Sequence, residues 1–299
     1  MSLARKIFSN TAWQVAGKLV AAVLGIVSIK FITNYLSRSS YGEYTTIYDY
    51  TALFAIIADF GLFTIAVREM AHAGSKDIEL SILAAQAEAQ NKFRLLSEDL
   101  SSALSYKAVA PAEPLGLTGF DIGLELSATK MNNASDWASA VSSGKAIDTL
   151  PVPKLHVHKG LPFDIDVGVV YTSIPTTNIK LIGGELRYAI LAGDVALPAV
   201  AVRGTMTKLS GVSNLSFDTK GLELTVSKGF LMITPYASIG QVWTTSDPSE
   251  PTGLLKKEEF QQTKMGIGAN INFGLMNLAL EGDQTGDSTT YSAKFRFRF

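Results

Sequence analysis

The sequence predicts a mainly β chain: an antiparallel transmembrane β-barrel of about ten strands, preceded by a two-helix transmembrane hairpin. Apolar and polar residues alternate from residue 119 to the carboxy terminus, as in strands with one face in lipid and the other in a lumen. Two apolar stretches before residue 68 are each long enough for a membrane-spanning helix. The chain is 47% hydrophobic and only 18% charged, which favours a membrane protein.

The predicted hairpin consists of residues 13–35 and 46–67, separated by a polar loop that contains tyrosines. Cations precede the first stretch and follow the second, so the positive-inside rule places both ends in the cytoplasm. Asp59 lies deep in the second stretch, where a carboxylate either marks a transport path or contacts another helix. Both stretches are polar enough to predict that they belong to a larger helical bundle.

Two segments of this hairpin, NYLSRSSYGEYTTIYDY and ADFGLFTIAVREMA, resemble the opening of the polysaccharide-export (oligosaccharide) flippases. In that family the first helix ends at a YLxxxxYGxY turn. The second helix ends in a DxGL…RExA run, matched here by Asp59, Gly61, Leu62, Arg68, Glu69 and Ala71. The resemblance covers residues 1–83 and implies an inner-membrane fragment of a flippase for lipid-linked oligosaccharides. Flippases have many more helices, so it implies no transport activity for the fragment alone.

The segment 84–114 is interpreted as a junction. Ala85-Gln86-Ala87 is typical of a secretory cleavage site, but such a site follows a charged start and an apolar core near the amino terminus. Here it follows GSKDIEL. We therefore interpret the chain as a composite, joined near residues 80–84 by gene fusion or by an error of sequence assembly. The alternative is a natural barrel with an inner-membrane anchor.

Residues 91–106 place apolar side chains on one helical face and predict a short amphipathic helix that ends before Pro111. A barrel domain follows over residues 115–299. Its predicted strands are 117–130, 150–160, 163–174, 178–190, 198–210, 215–229, 233–245, 260–273, 276–284 and 289–299. A soluble sandwich shows the same alternation, but aromatic residues at the strand ends favour a membrane barrel.

The connections of the barrel are predicted from composition. Residues 131–149 and 244–258 are rich in polar residues and predict long loops, whereas 174–177 and 273–276 predict short turns that face the periplasm. A slip of the alternation at Gly183-Gly184 predicts a β-bulge.

The last strand carries aromatic residues on one face, up to the terminal phenylalanine. This pattern resembles the carboxy-terminal signature of bacterial outer-membrane barrels, which implies a barrel-assembly signal at Tyr291, Phe295, Phe297 and Phe299. The segment APAEPLGLTGFDIGLEL adds a similarity to uncharacterised outer-membrane barrels of Gram-negative bacteria. Together they imply an outer-membrane location for residues 84–299, and an inner-membrane location for residues 1–83 if that piece is expressed.

The polar faces of the strands are predicted to line the lumen. The predicted lumen-facing charged residues are Asp121, Glu125, Lys154, Asp164, Asp166, Glu185, Arg187, Glu223, Lys264, Glu281, Lys294, Arg296 and Arg298. Lys180 and Arg203 are assigned to the same face. Such a mixed set either closes the lumen through ion pairs or lines a small pore.

Neither catalytic residues nor cofactors are predicted. His156 and His158 share a strand face about 7 Å apart, but the only other histidine is His72, and a metal site needs a further ligand. We find no Ser-His-acid motif. With a net charge of −1, the chain has no predicted nucleic-acid partner. It has no cysteine, which excludes disulfides and thiolate sites.

The sequence thus predicts a non-enzymatic outer-membrane barrel, either a small pore or a structural barrel with a charged lumen. Its predicted partners are the lipid bilayer and, through the last strand, the barrel-assembly machinery. The alternative function is that of a lipid-linked oligosaccharide flippase, represented only by its first hairpin within a chimeric or misassembled reading frame.

Overall fold

The computed structural model describes residues 78–134, 148–173, 178–212, 215–248 and 255–299. Apart from residues 78–83, the predicted hairpin and its carboxylate Asp59 lie outside the described residues. Among the helical residues that are described, none form a helix with the length and apolar character needed to cross a membrane.

Helix α1 spans Ile78–Leu104. Alanine, leucine, glutamine and glutamate dominate its sequence, and these residues have high helix propensity. It begins well before the predicted segment 91–106 and continues through residues 80–84, where the sequence predicts the junction. Its carboxy-terminal half buries Phe93, Leu96 and Leu100. Beyond Leu104 the chain contains prolines, which do not continue a helix, and residues 105–118 form an irregular segment that we call the strap.

Ten strands follow the strap. They are β1 (Phe120–Lys130), β2 (Thr149–Leu161), β3 (Ile165–Ser173), β4 (Lys180–Leu191), β5 (Ala199–Ser210), β6 (Leu215–Ser227), β7 (Ile233–Pro248), β8 (Glu258–Phe273), β9 (Met276–Thr285) and β10 (Ser288–Arg298). Each strand pairs antiparallel with its sequence neighbours, and β1 pairs with β10, where Ile122 lies opposite Phe297. The barrel is therefore closed, and the predicted ten-stranded antiparallel barrel is confirmed.

The two faces of each strand differ in polarity. Along β1 the outward Leu124 is 66% exposed, whereas its neighbour Glu125 is 2% exposed. Leucine, isoleucine, valine and aromatic side chains recur at the outward positions of the other strands, and charged or hydroxyl side chains recur at the buried ones. The barrel thus has an apolar outer surface and a polar lumen, the arrangement of a barrel in lipid.

The alternation of β4 continues without a break from Lys180 to Ala189, so the predicted bulge at Gly183-Gly184 is wrong. Leu181 is buried in the lumen although it is apolar, and this inward leucine gives the sequence its false slip. The register of β4 against β5 shifts instead between Ala189 and Leu191. Lys180 lies on the outward, exposed side of β4, contrary to its assignment.

The two ends of the barrel are distinct. The terminal rim holds Phe299 and the turns 162–164, 192–198, 228–232 and 274–275. The loop rim, at the other end, holds the connections from β1 to β2, β3 to β4, β5 to β6, β7 to β8 and β9 to β10. Ser173 and Lys180 therefore lie at the loop rim and Phe273 at the terminal rim. The prediction that both short turns face the periplasm is wrong, because connections in an up-and-down barrel alternate between its ends.

Candidate functional site

Helix α1 lies against the lumen wall near the loop rim. Ser97 Oγ donates to Ser246 Oγ of β7 at 2.9 Å, and one turn later Ser101 Oγ shares a 2.6 Å hydrogen bond with Thr244 Oγ1. Asp99 accepts a 2.7 Å bond from Ser288 Oγ of β10. Short hydroxyl side chains on one helix face bring α1 close to the wall and satisfy the polar atoms of both partners.

Nearer the mouth of the loop rim, α1 contacts the start of β8. Arg94 donates to Glu98 at 2.7 Å and to Glu258 at 3.1 Å. Its guanidinium carbon lies 4.3 Å from the ring centroid of Phe260, a cation–π geometry. The backbone amide of Lys256 donates to Gln90 Oε1 at 2.8 Å. The helix therefore enters the lumen from the loop rim and is fixed there at several points.

The strap continues from α1 through the lumen to the terminal rim, and cations of the wall hold its carbonyl groups. Lys264 donates to Tyr106 O at 3.2 Å and Lys294 to Ala108 O at 2.5 Å. Arg187 donates to Pro111 O, and Arg298 to Pro114 O, both at 2.9 Å. These four donors come from β4, β8 and β10. An irregular backbone has no ladder partners, so buried carbonyls need such donors.

The strap also supplies donors to the wall. Lys107 Nζ lies 2.6 Å from Asp283 Oδ1, and both side chains are completely buried. The Leu115 amide donates to Asp166 at 3.1 Å, and the Ala112 amide donates to Ser227 Oγ at 3.0 Å. Polar contacts thus follow the strap along its length.

Ion pairs between strands fill the space around the strap. Glu125 accepts from Lys154 at 2.8 Å, and its other oxygen lies 2.5 Å from His156 Nε2. Asp121 pairs with Arg296 at 3.1 Å. Glu223 pairs with Lys264 at 2.8 Å and also with Arg203, which lies 3.2 Å from Glu185. Tyr236 donates to Glu281 at 2.9 Å. Apart from Glu281, whose partner is a neutral hydroxyl, these buried charges are paired, as the cost of burying an isolated charge requires.

Most of the predicted lumen residues are brought together here. The buried members of the predicted set are Asp121, Glu125, Lys154, Asp166, Glu185, Arg187, Glu223, Lys264, Glu281, Lys294 and Arg296. Arg298 is half-buried on the same face at the terminal rim.

Asp164 lies elsewhere. It is exposed in the turn 162–164 with a φ of 55°, because β3 begins only at Ile165 and the alternation does not extend back to it.

Sequence reasoning missed Lys107 and Asp283, the completely buried pair. Asp283 is two residues beyond Glu281, so extending the alternation of β9 would have found it. Lys107 stands in the irregular strap, where no periodicity indicates a direction.

The two strand histidines lie inside the network. Their rings stack with centroids 5.6 Å apart and an interplanar angle of 19°. His158 Nε2 lies 3.0 Å from Tyr106 Oη of the strap. Both imidazoles are buried, so they serve as contacts between wall and strap.

Small cavities adjoin the strap within the lumen. Two cavities, one beside Tyr106 and Lys264 and the other beside Pro111 and Arg187, have volumes of about 10 Å³ each. Such a volume accommodates about one water molecule. The strap and α1 thus lie inside the lumen among buried charges, with two small cavities beside the strap.

The residues of the predicted assembly signal lie on the outer face of β10 and at its end. Tyr291, Phe295, Phe297 and Phe299 are all exposed there. The rings of Phe295 and Phe297 meet edge to face at 5.4 Å.

Comparisons with known proteins give one family match, which lies in the amino-terminal part of the chain. The model of a family described as "Polysaccharide biosynthesis protein" matches residues 7–87. No curated protein matches the chain.

Solved structures similar to the chain are outer-membrane barrels. An outer-membrane channel from Pseudomonas putida F1 is 12% identical, with a TM-score of 0.41, over 65% of this chain and 99% of that one. The amino-terminal barrel domain of Pseudomonas aeruginosa OprF is also 12% identical, with a TM-score of 0.30, over 60% and 97%. Ail of Yersinia pestis is 13% identical, with a TM-score of 0.25, over 60% and 97%.

Proposed function

We propose that the barrel is a non-enzymatic outer-membrane protein whose own strap closes its lumen, so that it is a structural barrel and not an open pore. The observation that carries this proposal is the strap, held through the lumen by wall cations on four of its carbonyl groups. A second support is the completely buried Lys107–Asp283 pair. An open pore needs a continuous hydrated path, and these contacts occupy it.

The outer-membrane assignment rests on the surface of the barrel. Large apolar side chains cover the outward faces of its strands, and an exposed apolar surface of this extent in water is rare for a soluble monomer. Outer-membrane barrels have short periplasmic turns. The two longest connections, 131–148 and 249–257, belong to the loop rim, which therefore fits the outer side, and the terminal rim fits the periplasmic side.

Planar-bilayer conductance tests the closed lumen. We expect the purified full chain to give no steady conductance. A variant with Lys107→Met and Lys294→Met lacks two anchors in the middle of the strap, and we expect it to show conducting events as the strap moves. Lys257→Met is the matched control, because Lys257 is exposed at the loop rim; it should remain silent. Steady conductance of the unmodified chain, at the level of the double variant, would contradict a closed lumen.

Heat-modifiable migration on gels accompanies this experiment. All three proteins should show a fast-migrating folded form, so that a difference in conductance reports the lumen and not unfolding of the wall. The same gels separate an intact barrel from aggregated protein that has lost its strands.

The family match over residues 7–87 favours a second candidate function, that of a lipid-linked oligosaccharide flippase represented by a fragment. Under this proposal the chain is a composite of two reading frames. Single long reads of genomic DNA across codons 75–90 test it: an unbroken frame in an isolated strain would contradict an artefactual join. Fractionation of the full chain to the inner membrane would show that the helical piece decides the location.

A further inference from the structure

The turns of the terminal rim expose large apolar side chains at their tips. Phe163 is 86% exposed, Val195 100% and Leu231 105%. Leu275, in the shortest turn of this rim, is also exposed. These residues belong to different turns, so the pattern is a property of the whole rim.

The loop rim shows the opposite pattern among its described residues. Its apolar side chains Met131, Ile179 and Leu255 are buried. Its exposed positions include Asn132, Lys256, Lys257 and Asp287. Among the described residues, the two rims of the barrel therefore present different chemistry, and the terminal rim carries apolar tips that would be unfavourable in water.

Two of the tips occupy strained backbone positions. Phe163 has a φ of 66° and Leu231 a φ of 54°. Tight hairpin turns usually place glycine, asparagine or aspartate at positive φ, because a bulky side chain is disfavoured there. Strain of this kind persists where the surroundings or the function require it. Here both strained residues carry large, exposed apolar side chains.

Several polar groups of the turn 192–198 have partners within the protein. Lys228 Nζ donates to the carbonyl oxygens of Asp194, Val195 and Leu197 at 3.0, 2.8 and 3.2 Å. The Asp194 carboxylate accepts hydrogen bonds from the backbone amides of Ala196 and Leu197, both at 2.6 Å. The Leu197 and Ala196 amides, with nearby Lys228, lower the pKa of Asp194, so it stays ionised at neutral pH.

At the start of the barrel, Lys159 Nζ similarly donates to Leu117 O at 2.6 Å and Gly119 O at 3.1 Å. A loop in water does not need internal donors for its carbonyl groups. A loop at the edge of hydrocarbon does, because water is scarce there.

We propose that the tips of the terminal rim insert into the adjacent leaflet of the bilayer, at the boundary between head groups and hydrocarbon. The apolar tips continue the lipid-facing wall, since the outward residues Leu161, Leu191 and Ile233 beside the turns are also exposed. The ammonium groups of Lys159 and Lys228 sit among the turn carbonyls at the same rim, where amphipathic side chains keep their charge near the head groups. The partner of this surface is thus phospholipid. The inference rests on the proposed membrane location of the barrel.

Site-directed spin labelling tests the inference directly, because the chain has no native cysteine. Nitroxides are attached to the full chain at Phe163→Cys, Val195→Cys and Leu231→Cys, in vesicles of phosphatidylethanolamine and phosphatidylglycerol. Leu124→Cys on the outer wall serves as the lipid reference, and Lys257→Cys at the loop rim serves as the water reference. The measurement is the ratio of accessibility to oxygen over accessibility to a water-soluble nickel chelate.

We expect the three tips to give a ratio several-fold above that of residue 257 and close to that of residue 124. A ratio at the tips equal to that of residue 257 would overturn the inference. If residue 124 gave a lipid-like ratio in the same experiment, the proposed membrane location of the barrel would still stand. Low accessibility of the tips to both reagents would indicate protein packing and would also overturn it. A water-like ratio at residue 124 would refute the membrane location itself.

Discussion

The wall of the barrel and the strap in its lumen are held by different kinds of interaction. Each strand of the wall has two antiparallel neighbours and a continuous ladder of backbone hydrogen bonds. The strap has no ladder, and separate side chains of the wall hold it, among them Lys264, Lys294 and Arg187. When one wall contact is lost, the many remaining hydrogen bonds of the ladder still hold the strand. When one strap contact is lost, a buried polar group is left without its partner. The strap is therefore the more sensitive region to single substitutions.

The largest expected effect comes from Lys107→Met, which leaves the buried Asp283 carboxylate without its cation. Removing one partner of a buried ion pair costs about 3–5 kcal/mol, so we expect the free energy of unfolding to fall by about that amount. Equilibrium unfolding in urea, with the chain in lipid vesicles, measures the change.

The double variant Lys107→Met with Asp283→Asn is the matched control. It removes both charges, so its loss of stability should be smaller than that of Lys107→Met alone. Equal losses in the two variants would contradict the pairing and place Asp283 outside the environment of the strap.

A smaller effect is expected on the wall from Leu124→Arg, which places a cation on the lipid face near the middle of β1. Arginine at such a position costs up to about 2–4 kcal/mol, and the same urea titration measures it. Leu124→Val is the control that keeps an apolar side chain in lipid. If arginine were tolerated as well as valine, the outer face of β1 would be in water.

The smallest effects come from two carboxylates that are close in sequence and differ in location. Asp166 accepts hydrogen bonds from both the Arg187 guanidinium and the Leu115 amide. We therefore expect Asp166→Asn to lower the free energy of unfolding by about 1–3 kcal/mol. Asp164 is exposed in a turn at positive φ, which asparagine tolerates, so Asp164→Asn should change stability by less than about 0.5 kcal/mol. Comparable losses at both positions would contradict the placement of the lumen face.

Much of the wall could be predicted because side chains in a strand point to the same face at every second residue. In β10 the alternation places Phe295 and Phe297 outward, and Lys294 and Arg296 inward, without knowledge of any neighbour. The errors occur where this rule meets an exception. Leu181 is apolar and faces the lumen, which mimics a slip, and Asp164 precedes the first residue of its strand. Neither exception has a local signature.

The candidate site was predicted only in part. The inward charges of the strands follow from the alternation, but their partners do not. Lys264 and Lys294 are equally compatible with a charged pore and with a filled lumen, because the partner that distinguishes the two is the backbone of the strap. The strap has no period, and its proline and alanine residues indicate only that the helix has ended.

The sequence by itself determined the antiparallel strands, their number and the face of most of their side chains, because these depend on a local period of two and on the turns between the strands. Only the tertiary structure decided the register of β1 against β10, the distribution of turns between the two rims and the position of the strap in the lumen. Those features depend on contacts between residues far apart in the chain, such as the 2.6 Å contact of Lys107 with Asp283. Such contacts leave no periodic trace in the residues beside them.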